Sequence, residues 1–128
     1  EERWADAVEM FRQVPNLDKR KDDAKVRAAT AHFELGKIAF DKEQWESVHD
    51  HLRSIPRAHD RFQESRDMLD FAYFHLGRKS SEAQEWLKAI EQLGMVREGN
   101  PHREEARSLY DVAVEKNRAQ RDAEKEKE

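Results

Sequence analysis

The sequence predicts an all-α protein, a helical-hairpin repeat solenoid of about six helices. Three observations predict it. Apolar triplets at i, i+4 and i+7 recur as Ala7/Phe11/Val14, Val48/Leu52/Ile55 and Ala83/Leu87/Ile90, the spacing of one helical face. A second set, Leu35/Gly36/Ala39, Met68/Leu69/Ala72 and Leu109/Tyr110/Ala113, reads i, i+1, i+4 and interleaves with the first. The two helix types therefore alternate B, A, B, A, B, A, and Pro15 and Pro56 close the first two B helices.

Composition narrows the function classes. The 128 residues are 41% charged and 37% hydrophobic, which suits helices sharing a thin core. The 24 Lys and Arg against 28 Asp and Glu leave a net charge of −4, without the cationic excess that phosphate binding needs, so nucleic acid is not an expected partner. No stretch approaches the roughly 20 apolar residues of a membrane span, so no membrane insertion is expected. With no cysteine, disulfides, thiolate metal sites and thiol catalysis are removed together. The chain begins at Glu1 without a methionine and reads as a piece of something longer, which leaves localisation open.

The elements follow in order. Trp4 to Val14 reads as the first B helix, and Asn16 to Asp23, where three cations are flanked by three anions, reads as an exposed loop whose charges cancel locally. An alanine-rich A helix from Ala24 to about Asp41 carries Phe33, Leu35, Ile38 and Phe40, and Trp45 to Ile55 forms the next B helix. A further A helix runs from about Phe62 to Leu76, with Gly77 placed as its left-handed closing residue. Ser80 or Ser81 then caps a B helix that ends near Leu93. Asn100 and Pro101 open the last helix, which buries Ala106, Leu109, Tyr110 and Ala113. These elements make a single repeat domain over 1–114. The charged 115–128 reads as a solvated helical extension or a linker.

The register of the repeat admits two readings. Trp4, Trp45 and Trp86 are spaced by 41, and Phe33-Glu34-Leu35-Gly36 recurs as Phe74-His75-Leu76-Gly77. A strict period of 41 aligns Ile38, Ala39 and Phe40 with Lys79, Ser80 and Ser81, polar residues against apolar ones. The expectation is therefore a unit near 34 residues, Leu35 matching Met68 and Val48 matching Ala83, with longer turns elsewhere.

Leu35-Gly36, Ala39-Phe40, Trp45, Val48, Leu52 and Ile55, with Pro56 beyond, resemble the tetratricopeptide repeat family, whose unit is a helix-turn-helix of about 34 residues. The resemblance covers most of 4–114. Departures are Ala39 where the family has tyrosine, Val48 where it has alanine and Leu69 where it has glycine. The resemblance implies a right-handed superhelix with a concave groove that takes a partner peptide or helix. Carried onto this chain, the groove residues are Phe33, Lys37, Phe40, Asp41, Arg66, Asp70, Tyr73, Phe74, Arg107 and Asp111, with Glu115 extending the face. The aromatics among them equally suit the interior between hairpins. Lys37, Asp70 and Asp111 stand where the chaperone-binding members of the family have a carboxylate clamp, and carboxylates there would repel that ligand.

Chemistry finds little to work with. His49 and His51 point about 200° apart on a helix and cannot share a metal, the carboxylates lie on polar faces beside cations, and no phosphate loop, zinc helix or serine elbow occurs. No metal, no cofactor and no enzyme activity are expected. The expected role is a protein interaction module. The alternatives are a regulatory docking domain of a larger protein, or a self-associating element that dimerises through the C-terminal helix by way of Leu109, Tyr110 and Val114.

Overall fold

The computed structural model describes residues 4–8 and 18–127, and among them it is wholly helical, with no strand. The helices are α1 (residues 4–8), α2 (Asp18–Asp41), α3 (Trp45–Leu52), α4 (Phe62–Glu82), α5 (Trp86–Leu93) and α6 (Arg103–Glu126). The chain divides within α4 into two compact units, Glu1–Leu69 and Asp70–Glu128. Phe11, Val14 and Pro15 of the expected first helix lie outside the described residues.

The repeat has a period of 41, not 34. Helices α2 and α4 end at Asp41 and Glu82, α3 and α5 run Trp45–Leu52 and Trp86–Leu93, and α4 and α6 begin at Phe62 and Arg103. The hydrogen bonds follow the same step. In the first turn the Gln44 N–H donates to Ala39 O at 2.9 Å and the Glu43 N–H to Phe40 O at 3.0 Å; in the second, Glu85 donates to Ser80 O at 2.9 Å and Gln84 to Ser81 O at 3.0 Å. This is a Schellman closure, with Glu43 at φ 57° and Gln84 at φ 61° in the left-handed position usually held by glycine. Gly77 is accordingly not the closing residue, and Ser80 and Ser81 are not caps. All three lie inside α4.

The polar residues that argued against this register are accommodated one by one. Of Ile38, Ala39 and Phe40, only Ala39 is fully buried, so Lys79 and Ser81 occupy positions that are half-open to water. Ser80, the counterpart of Ala39, is buried but donates from Oγ to Gln92 Oε1 at 2.6 Å, which removes the cost of a buried hydroxyl. The matching B-helix faces are Val48/Leu52/Ile55 and Ala89/Leu93/Val96, all buried. The expected triplet Ala83/Leu87/Ile90 is displaced by six residues, and Leu87 is 62% exposed.

Each glycine of the pair lets its B helix come close. A Cβ on Gly36 would overlap Leu52 Cδ2, and one on Gly77 would lie 2.5 Å from Leu93 Cγ and 3.2 Å from the Leu93 backbone nitrogen. Both leucines are about fully buried, at 1% exposure, and have no room to turn away. In the second unit Phe74, Ala89, Leu93, Val96, Ala106 and Ala113 form the core, with Tyr73, Trp86, Ile90, Leu109 and Tyr110 packed against it.

Element ends differ from expectation in two further places. Helix α2 starts at Asp18, so 18–23 is helix where an exposed loop was expected; Lys and Arg are good helix formers and an aspartate suits a helix start. The last helix starts at Arg103, after a turn in which Asn100 Oδ1 accepts the His102 N–H at 2.8 Å. The charged tail is helical to Glu126, which matches the helical extension of the two expected readings. Leu109 and Tyr110 are half-buried against the second unit's core, which covers much of the apolar surface expected to drive dimerisation.

Glycine substitutions separate the two roles found here. Glu43→Gly and Gln84→Gly should each raise the free energy of unfolding by about 1 kcal/mol by relieving a left-handed non-glycine residue. Gly36→Ala and Gly77→Ala should each lower it by about 1 kcal/mol or more, since overpacking costs about 1–3 kcal/mol and outweighs the helix propensity gained. Urea denaturation checks all four, and opposite signs would contradict the register.

Candidate functional site

The two units are built on one pattern, so the places where the pattern is broken locate the candidate site. In the first unit a cavity of about 420 Å³ opens between α2 and the turns that follow α3. Val26, Pro56 and Ala58 supply its apolar wall, and Lys25, Asp60 and Arg61 its charged rim. Val26 is 57% exposed in that wall.

Thr30 and His59 form the polar floor. Thr30 Oγ1 donates to Val26 O at 3.0 Å and stands 2.9 Å from His59 Nε2. The Arg61 N–H donates to His59 Nδ1 at 3.1 Å. A neutral imidazole whose Nδ1 accepts carries its proton on Nε2, so His59 is the donor to Thr30. The pair looks like a nucleophile and its base, yet the tautomer is wrong for taking the threonine proton.

At the corresponding place the second unit holds an ion pair and facing rings. Ala29 and Pro56 are replaced by Asp70 and Arg97, whose Oδ2 and Nε atoms pair at 2.9 Å with the carboxylate 4% exposed. Thr30 and Arg61 are replaced by Phe71 and His102, whose rings meet edge to face at 5.7 Å. His102 stacks on Phe74 at 4.2 Å with 4° between the planes, where the first unit sets the Arg61 guanidinium over Phe33 at 5.8 Å. Asn100 closes its turn as His59 does, each accepting the N–H two residues on. One backbone therefore carries an open cavity in the first unit and an ion pair with stacked rings in the second.

The residues expected to line a groove differ in their settings, each within its own unit. Phe33 and Phe74 are core residues, 2% and 0% exposed. Asp70 is buried in its pair with Arg97. Phe40 is half-buried with its ring edge on Trp45 at 5.5 Å, and Tyr73 is half-buried against the second unit's core. Arg66 is half-buried with its guanidinium 5.9 Å from the Phe62 ring centre. Lys37 and Asp41 are exposed one turn apart on α2, and Arg107 and Asp111 are exposed one turn apart on α6. With the 41-residue step, the counterparts of Lys37 and Asp41 are Arg78 and Glu82, both exposed. Sequence reasoning missed Lys25, Val26, Thr30, His59 and Arg61. The signal for them was the mismatch of Thr30 and Pro56 with Phe71 and Arg97 under the longer period.

Histidines meet across α2 and α3. His32 Nδ1 and His51 Nδ1 are 3.3 Å apart, with ring centres 5.5 Å apart. Burial pushes the His51 imidazole below its ordinary 6.5, opposed by the Asp50 carboxylate, which raises it. Among the described residues no group of three or more His, Cys, Asp or Glu gathers as a metal site, and no helix is long and apolar enough to cross a membrane. No family model matches the chain, and neither a curated protein nor a solved structure is significantly similar to it.

Two measurements follow from this geometry. Because folding lowers the His51 pKa, the unfolded chain holds more protons below 6.5; the stabilisation from neutral His51 is whole above pH 6.5 and is lost as the pH falls through the lowered value. Denaturation midpoints should fall from pH 7.5 to 5.5, and His51→Gln should flatten that slope. A slope unchanged in the variant would contradict the assignment. Arg97→Ala should cost about 1–3 kcal/mol by stripping a guanidinium from a buried carboxylate, and Asp70→Ala with Arg97→Ala together should cost less than the sum of the single changes.

Proposed function

We propose that the chain is a protein interaction module of tetratricopeptide-like hairpins set in a solenoid, and that the cavity of the first unit seats an apolar side chain of a partner peptide. The observation that carries the reading is the open cavity beside α2, at a place where the second unit holds an ion pair and facing rings. A valine 57% exposed in its wall gains about 25 cal/mol for each Å² a bound apolar group would cover. Lys25 and Arg61 on the rim, with Lys37 exposed further along α2, favour acidic residues flanking that anchor. Such an arrangement of one apolar anchor within a charged rim is how peptide affinity concentrates on few residues.

A non-enzymatic role is supported by the same atoms. The nearest approach to a catalytic pair, Thr30 with His59, has its imidazole proton directed at the hydroxyl oxygen by the Arg61 N–H. It has no free base with which to start acyl transfer.

A displayed random-peptide library selected on the immobilised chain tests the proposal. Peptides sharing a hydrophobic anchor beside acidic residues should enrich, and their affinity should fall at least tenfold on Val26→Asp and on Lys25→Glu with Arg61→Glu. Failure to enrich any peptide, or equal binding to Val26→Asp, would overturn it.

A further inference from the structure

We propose that His32 and His51 form a two-imidazole site for a nitrogen-preferring divalent transition-metal ion of the zinc type, clipping α2 to α3. A tetrahedral ion with metal to nitrogen distances of about 2.0–2.1 Å places its ligand nitrogens about 3.3–3.4 Å apart. The Nδ1 atoms of His32 and His51 stand at 3.3 Å, on different helices whose packing is fixed by Leu52 against Gly36. Both side chains are half-buried, so water completes the coordination from the open side.

Without metal, the two Nδ1 atoms share one hydrogen. Metal binding moves that proton to Nε2 of the same ring. The two neutral rings then present two lone pairs, with no net change in proton count. Nothing in the hairpin demands histidine at either place. One repeat step later, the same positions hold Tyr73 and Gln92, and Gln92 accepts from Ser80 in an ordinary core hydrogen bond. Zinc, copper or nickel suits imidazole; magnesium and calcium, which require oxygen ligands, do not. The Asp50 carboxylate beside His51 adds attraction for a cation.

Titration calorimetry of the metal-free chain with ZnCl₂ tests the site, with MgCl₂ as the comparison. One saturable zinc site is expected, at least tenfold weaker in His32→Gln and in His51→Gln, unchanged in His49→Gln, and absent with magnesium. Side-chain resonances of His32 and His51 in the unmutated protein should shift first on zinc addition, which keeps the test independent of whether the variants fold. No saturable zinc binding, affinity unchanged by both substitutions, or first shifts at His49, His59, His75 or His102 would overturn the proposal.

Discussion

The contact on which the rest depends is a leucine lying against a glycine. Helices α3 and α5 are only eight residues long, too short to hold themselves as isolated helices in water, so each persists by burying one face on the long helix before it. Leu52 and Leu93 can make that approach because Gly36 and Gly77 present backbone where any other residue would present a Cβ. The close approach fixes the register of short helix on long helix, and the register in turn fixes which residues are core and which are free to vary.

Variation between the two units then becomes informative. Positions that serve the hairpin are matched in kind: Val48 with Ala89, Ile55 with Val96, Phe33 with Phe74, all buried. Positions that do not serve it diverge in chemistry. An alanine and a proline become an ion pair, a threonine and an arginine become two rings, and a histidine pair becomes a tyrosine and a glutamine. Since the backbone is the same in both settings, these differences are not demanded by folding. They are where the first unit acquires its open cavity and its facing imidazoles.

Much of this was legible in the sequence. Helical periodicity gave the all-α class, the alternation of helix types, and the start of α3 at Trp45, while α5 was expected to start after a Ser80 or Ser81 cap and instead starts at Trp86. The register was not legible from hydrophobic pattern alone, because Lys79, Ser80 and Ser81 look like turn residues. One of them is buried with its hydroxyl satisfied by Gln92, and the other two lie on partly wet faces that a pattern of apolar and polar letters cannot distinguish from a loop. The closing turns were hidden for a related reason. Glu43 and Gln84 take the left-handed position without being glycine, so the available Gly77 drew the expected boundary to itself. The cavity and the pair of His32 with His51 required two helices to be brought side by side, and spacing within one helix carries no information about that.

The period of 41 residues is the central claim, and residue-by-residue backbone chemical shifts in solution test it most directly. The account predicts unbroken helical shifts from Gly77 through Glu82, a left-handed signature at Glu43 and again at Gln84, and helix resuming at Trp86 as it does at Trp45. Helical shifts that stop at Gly77, with a new helix capped by Ser80 or Ser81, would contradict it and restore the shorter unit.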